Sequence, residues 1–439
     1  MSALWQENVK LPQFHSLSGN KTTDVLIIGG GMAGILCAHF LGENGVDYTL
    51  VEGKRIASGI TKNTTAKITA QHGLIYHKLL KSIGIENARK YLEINQLAVK
   101  KYEELCGAIN CDFQKKTAYV YSHDNRKKIE KEADALYRIG YNPKFSVVSR
   151  LPFPIAASVG FEDQAQFHPL KFIAKLAQGL NIYENTFVKE FIGNKAVTNN
   201  GEIVFKKLIM ATHFPINNKH GLYFLKMYQH RSYVLAIEKG ENIQGMYVDE
   251  DRKGMSFRNY KDLLLIGGGS HRTGKKGGNW SELREFSQIY YPYAKEKYYW
   301  ATQDCMTLDG LPYIGQYSKG LCDCYVATGF NKWGMTSAMV AGMLLSDMII
   351  GKKNDYANIF TPQRSMLNPQ LFINGLEASK NLLTITKKRC PHMGCALKWN
   401  AVEQTWDCPC HGSRFSKEGK ILDNPANGDN NADNSTSVS

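Results

Sequence analysis

"DVLIIGGGMAGILCAHFLGENGVDYTLVEG", Asp24 to Gly53, is the stretch that sets the architecture. "VLII" is a short apolar run of the kind a parallel strand buried on both faces requires. Gly29, Gly31 and Gly34 fit G-x-G-x-x-G at the turn into a helix running from Met32 to about Asn44, and a second apolar strand, "DYTLVE", ends on Glu52. Gly29 permits the tight turn, Gly31 lets the backbone approach a pyrophosphate, and Gly34 lets helix and strand pack closely. The helix N-terminus offers N–H groups and partial positive charge to phosphates. A lone glycine pattern also fits a structural turn. Set between strand and helix, with an acid at the ribose distance, it predicts a dinucleotide site.

The remaining composition is ordinary for a globular protein: 439 residues, 43% hydrophobic and 21% charged, enough for a large core and more than one domain. No basic stretch followed by an apolar one opens the chain, so no signal peptide is expected. "SAMVAGMLLSDMIIG" (Ser337 to Gly351) is too short to span a bilayer and contains Asp347. A cytoplasmic protein without a transmembrane segment is the expectation. The charge of +14 comes from 54 basic against 40 acidic residues. A solvated basic surface accounts for it; so does attraction to an acidic redox partner or to the membrane as a peripheral dock. No nucleic-acid module is present to use it, so no nucleic-acid partner is expected.

Later motifs carry a family resemblance. "VEGKRIASGITKNTTAKITAQHG" follows Glu52, "IMATHFP" (Ile209 to Pro215) ends a strand, and "TLDGLPYIG" (Thr307 to Gly315) precedes "YVATGFNKWGMTSAMVAGMLLSDMI" (Tyr325 to Ile349). In this order they resemble the FAD-dependent D-amino-acid oxidase and glycine oxidase (DAO) superfamily over residues 20–360, with His213 replacing the glycine of an A-T-G signature. The resemblance implies an α/β FAD-binding Rossmann-like domain with an inserted β-sheet and helical substrate domain. It implies FAD contacts at Gly29, Gly31, Gly34, Glu52, Thr65, Val188, Asp309, Gly329, Gly334 and Met335. "NIYENTFVKEFIGNKAVTNNGEIVFKKLIMAT" reads independently as three short strands with an Asn-Gly turn, the inserted meander. The boundaries expected are a lead at 1–22 and a body at 23–360. Within the body, 23–75, 150–220 and 306–352 bind flavin, and 76–149 and 221–305 form the substrate domain.

"RCPHMGCALKWNAVEQTWDCPCHGSRF" (Arg389 to Phe415) holds four cysteines and two histidines. Cys390-x-His392 and Cys408-x-x-His411 suit zinc. They equally suit a Rieske [2Fe–2S] centre, where two cysteines hold one iron and two histidines the other. Cysteine and histidine alternate within each half, and each loop carries a further cysteine, Cys395 or Cys410. "CPHMGC" and "CPCHGSRF" resemble the two cluster loops of Rieske proteins almost letter for letter. That resemblance implies a [2Fe–2S] cluster on Cys390, His392, Cys408 and His411, and a Cys395–Cys410 disulfide, which is in tension with a reducing cytosol. The domain expected is a truncated all-β module at 384–426, after a linker at 361–383 and before a disordered tail at 427–439. Only "NLLTITKKR" precedes the first loop, so the usual β-sheet base is missing. The module is expected to lean on the flavoprotein surface, with a fixed cluster rather than a swinging one.

The family reaction implied is oxidation of an amine or amino acid, with hydride passing to FAD. The cluster would draw electrons off singly and hand them to an external acceptor, a protein or a quinone. Histidine ligation puts its potential at about −150 to +300 mV, downhill from a typical flavin. The rival readings are a reductase with flow from cluster to flavin, and a non-catalytic redox sensor. A substrate carboxylate calls for an Arg or Lys; Arg258 and His271, with Arg272, are the candidates, and structural roles suit them equally. Tyr228, Tyr233 and Tyr260 read as pocket walls or core, and Lys67 as a group reaching the flavin or its phosphates. Cys305 falls where some sarcosine-oxidase relatives attach flavin covalently, and otherwise reads as a small buried hydrophobe. His168 is read as a helix start, with Pro169 at the first position.

Overall fold

The strand Lys21–Ile28, which carries "VLII", lies between Tyr48–Val51 and Glu202–Met210 and is parallel to both. Val25 to Ile27 stand beside Tyr48 to Leu50 on one side and Lys207 to Ile209 on the other. With both edges paired and both faces covered, four consecutive apolar residues are buried there without alternation. Leu321–Thr328 and Ile182–Tyr183 extend the parallel set outward, and Tyr313–Ser318 adds an antiparallel edge. Val188–Ile192 and Lys195–Thr198 fold back on Glu202–Met210 as the expected meander. These coordinates are a computed structural model that describes residues 3–217, 220–251 and 254–430.

The helices Met32–Glu43 and Gly334–Ile349 are apolar almost all round, because each is buried between the sheet and the other. Their crossing is close: a Cβ on Gly342 would meet Leu36 and Phe40 at 3.0 Å. At the other end of the first helix, Gly34 packs over the glycine turn, where a Cβ would come within 1.9 Å of the Gly29 carbonyl oxygen.

A second sheet of nine strands stands against the first. Its order is Lys295–Thr307, Met227–Glu238, Leu263–Arg272, Ser256–Tyr260, Met246–Asp249, Gln114–Ser122, Ala157–Gln166 and Lys67–Ile68, with Lys144–Ser146 beside Ala157–Gln166. It thus takes Ala157–Gln166 and Lys67–Ile68 from stretches read as flavin-binding. Alternation identifies a strand but not the sheet it joins. The helix Pro169–Leu176 begins as expected at His168, whose side chain accepts from the Lys171 N–H.

The C-terminal module is a four-stranded antiparallel sheet, Lys398–Asn400, Thr405–Asp407, Arg414–Phe415 and Ile421–Asp423. Ahead of it, within the stretch read as a linker, lies a helix, Pro369–Leu383, capped by the Asn368 side chain. The body of the chain supplies the missing base. Gln229, Gln303 and Arg272, all from the second sheet, donate to carbonyls of the module's loops. Residues 427–430 of the expected tail are described; 431–439 lie outside the described residues. Among the described residues no helix is long and apolar enough to cross a membrane.

Gly34→Ala is expected to cost about 1–3 kcal/mol, the usual penalty of an over-packed core contact, and to lower flavin content. Chemical denaturation with a flavin assay checks this; unchanged stability and flavin would show that the turn relaxes freely.

Candidate functional site

Both sheets face one elongated cavity of about 760 Å³. At one end it is lined by Gly29, Gly31 and Met32, where the chain turns from strand into helix. Gly29 has φ +110°, and a Cβ there would stand 2.6 Å from the Ala211 carbonyl, so only glycine makes this turn. The Glu52 carboxylate is fixed by N–H groups of Gly30 and Lys54, each at 2.8 Å. Burial raises its pKa, and these donors oppose the rise. Thr186, Phe187 and Val188 line the cavity as well, as do Thr65, Gly329, Gly334 and Met335.

Part of the lining is charged. Lys67 Nζ lies 3.3 Å from both Thr65 Oγ1 and Ser256 Oγ. Burial, with Arg258 adding to it, brings its pKa down to about 7. Burial pushes the Asp304 carboxyl up to about 6, against the pull of Lys332 and Arg231. Lys332 donates to Ser270 Oγ at 3.3 Å. It sits in a strained loop, with Asn331 at φ 49° and Lys332 at φ 71°. Such left-handed residues cost roughly 1–2 kcal/mol each and persist where their surroundings over-determine them. Here the Asn331 amide donates to Gly329 O (2.7 Å) and Thr307 Oγ1 (3.0 Å), and its oxygen accepts from Thr307 N (2.8 Å).

The remaining wall comes from the C-terminal module, through Glu403, Arg414, Asp423 and Asn424 among others. Arg231 of the body grips Glu403 with two nitrogens, Nε at 3.1 Å from Oε1 and Nη2 on Oε2, and both side chains are about 95% buried. Tyr233 donates to the same Glu403 at 3.0 Å. Arg414 spans Glu403, Asp407 and Asp423 at 2.8, 3.1 and 3.0 Å. Burial alone would raise the Glu403 carboxyl, but Arg231 and Arg414 more than offset it and hold it below the usual range. Asn424 seals the joint by donating to Thr212 O and Phe214 O at 2.7 and 2.9 Å.

Within the module, two loops repeat one geometry. Cys390 N donates to Cys395 O and Gly394 N to Cys390 O; Cys408 N donates to Ser413 O and Gly412 N to Cys408 O, all at 2.8–2.9 Å. Gly394 and Gly412 have φ +75° and +89°. This brings the Cys390 and Cys408 thiols into contact and the His392 and His411 rings to 5.0 Å, edge to face. His411 is 4% exposed, and its Nδ1 is buried without a hydrogen-bond partner among the described residues. Burial, then His392 and Arg272, push its pKa down to about 3, leaving the neutral imidazole a metal needs. Cys395 and Cys410 form a disulfide. Their sulfurs and that of Cys408 lie within 4.8 Å of one another, but the bonded pair has no thiolates to offer.

Comparison with known proteins bears on both sites. The pattern of the FAD dependent oxidoreductase family (DAO) matches residues 24–348, and that of the Rieske [2Fe-2S] domain matches residues 349–432. The chain belongs to the DAO family of FAD dependent oxidoreductases and carries a C-terminal Rieske domain. This oxidoreductase is 34% identical to the "Putative Rieske 2Fe-2S iron-sulfur protein YhfW" of Bacillus subtilis, over 96% of this chain and 95% of that one. Its fold is similar to that of L-proline dehydrogenase from P. horikoshii (TM-score 0.67, 19% identity, 79% of this chain and 98% of that one). It is similar also to glycine oxidase from Geobacillus kaustophilus (TM-score 0.66, 19% identity, 79% and 100%). Its cofactors are FAD and a Rieske [2Fe–2S] cluster.

Of the flavin contacts expected, Gly29, Gly31, Glu52, Thr65, Val188, Gly329, Gly334 and Met335 line the oxidoreductase's cavity, and Gly34 packs behind its turn. Asp309 stands apart from it, paired with Arg364 through both oxygens at 2.6 and 2.8 Å. Arg258 lies behind the wall, its guanidinium donating to Thr65 O and Ala66 O at 2.8 and 2.7 Å. His271 also lies outside the lining, its Nε2 2.9 Å from the Tyr233 hydroxyl and its Nδ1 2.9 Å from Arg272 O. Cys305 lines the cavity with a thiol that burial keeps protonated. Tyr233 lines it too, whereas Tyr260 bonds Asp112 and Tyr228 lies under the Arg272 guanidinium. Of the charged lining groups, Arg231 and Asp304 lie outside every motif, and Lys332 and Glu403 lie within quoted stretches without being marked by them.

Glu403→Gln is expected to cost about 3–5 kcal/mol, since it leaves the buried Arg231 guanidinium without its carboxylate, while Arg414 keeps Asp407 and Asp423. The folded carboxyl is held below its unfolded value. The contribution is therefore complete above about pH 4.3 and disappears as pH falls through the folded value. Denaturation of wild type and variant across that range checks both; a difference that grows in acid would sink the account.

Proposed function

We propose that this oxidoreductase dehydrogenates an amine or amino acid at a CH–NH or CH–NH2 bond and sends the electrons through the Rieske cluster to an external acceptor. The observation that carries this is the shared wall: Glu403, Arg414, Asp423 and Asn424, residues of the cluster module, line the cavity that meets the glycine turn. FAD supplies hydride acceptance at that cavity, and the [2Fe–2S] cluster supplies a one-electron outlet beside it. In this reading Gly29, Gly31, Glu52, Thr65, Val188, Gly329, Gly334 and Met335 hold FAD, and Cys390, His392, Cys408 and His411 hold the cluster. The rigid seat of the module suits a fixed relay. The printed titles of the similar folds, a proline dehydrogenase and a glycine oxidase, favour the amino-acid class.

The lining charges divide the work. Arg231 is neutralised by Glu403 and so is closed to a substrate carboxylate. Lys332 takes that role, with Lys67 as a second donor. Asp304 accepts the proton that a substrate ammonium must lose before hydride can leave its carbon. The hydride leaves carbon, the proton goes to the carboxylate, and water hydrolyses the imine that remains.

Anaerobic mixing with a panel of amino acids and amines tests the reading. A substrate should bleach the flavin without added reductant, and the EPR signal of a reduced Rieske cluster should follow. Flavin that bleaches only when the cluster has been reduced first would reverse the direction and overturn it. Lys332→Met should raise KM for carboxylate-bearing substrates by about 10–100-fold, the worth of a charged hydrogen bond, and spare amines that lack one. The rate of flavin reduction should fall as pH drops through about 6. Asp304→Asn should be slow and lose that limb; a retained limb would assign it elsewhere.

A further inference from the structure

The helix Pro369–Leu383 is inside out. Its buried residues are Asn374 and Asn381. The Asn374 carboxamide accepts from Arg272 at 2.9 Å and donates to Leu225 O at 3.2 Å, and Asn381 O accepts from Ala396 N at 3.0 Å. Phe372, Leu376 and Leu383 share the opposite face by their spacing and are 71, 72 and 82% exposed. Leu367 and Ile385, on either side of the helix, are 88 and 100% exposed. Polar groups thus pin the helix to the protein, and its large apolar side chains are turned to solvent.

The same segment carries Lys380, Lys387, Lys388 and Arg389 against a single acid, Glu377, which is held by Lys275 at 2.6 Å. We propose that this face docks on an anionic lipid bilayer. A protruding apolar ridge needs no complementary pocket in a bilayer interface, and cations beside it meet headgroup phosphates. The helix is already folded and anchored, so binding pays little ordering entropy. Arg389 ties the ridge to the first cluster loop, donating to Leu382 O, Thr384 O and Gly394 O at 3.2, 2.9 and 2.7 Å. Docking therefore brings the Cys390–Cys395 loop down to the membrane surface. The inference rests on this helix and not on the direction of electron flow.

Sedimentation of the full-length holoprotein with vesicles tests it, using phosphatidylcholine alone and phosphatidylcholine mixed with phosphatidylglycerol. Binding should need the anionic lipid and weaken with salt. Leu376→Glu, and the milder pair Phe372→Ser with Leu383→Ser, should lower partitioning about tenfold or more while flavin and cluster absorbance stay intact. Ile289→Glu, an exposed apolar residue on another helix, changes the charge equally and should have no such effect. Absence of binding, or an equal loss with Ile289→Glu, would overturn the proposal. So would a concentration-dependent dimer that the ridge substitutions abolish, which would give the face to a second copy of the chain.

Discussion

A buried carboxylate cannot stand alone, and Glu403 is buried. Isolated in a medium of low polarity its charge would cost several kcal/mol; it is tolerable only because Arg231 reaches it from the body and Arg414 from within the module. That requirement fixes where the module sits. Arg231 is rigid in the middle of a strand, so the carboxylate that satisfies it must arrive at one place and one angle. Arg414 then brings Asp407 and Asp423 into register behind it. The network is weak evidence for stability against an apolar joint of the same shape, yet removing one partner from it is costly, because a buried charge is then left uncompensated.

Two further features follow from that placement. The module dispenses with a base sheet of its own, because backbone carbonyls of its second loop find donors on Gln229, Gln303 and Arg272 of the body. The cavity also acquires its charge balance: Glu403 cancels Arg231, while Lys67, Lys332 and Asp304 remain among the charged groups of the lining. The left-handed Asn331–Lys332 pair, held by the Asn331 carboxamide, aims one of those cations at the cost of backbone strain.

Short-range chemistry was legible in the sequence. The glycine turn, the acid after the second strand and the paired cysteine and histidine loops are each complete within a few tens of residues, so spacing alone exposes them. Long-range pairings were not. Arg231 and Glu403 are 172 residues apart, and nothing local distinguishes either from a surface charge. Asp309 shows the same limit: its partner, Arg364, lies 55 residues on, and the pair stands outside the cavity lining. Arg258 and His271 were sensible choices by residue type and strand position. Yet His271 and the cavity-lining Ser270 are neighbours on alternate faces of one strand, and Arg258, on the same face as Ser256, is held behind the wall by the Thr65 and Ala66 carbonyls. The exposed ridge on Pro369–Leu383 was hidden because its buried residues are asparagines, against the usual pattern.

The wall that Glu403 to Asn427 contribute to the cavity is made after the rest of its lining. The glycine turn, the loop that carries Thr65 and every strand of both large sheets are made before it. Until it arrives the cavity is open on that side, and FAD has a way in. Once the module has settled against Gln229 and Arg272, that side is walled off. A flavin that entered there would have to do so before the module seats.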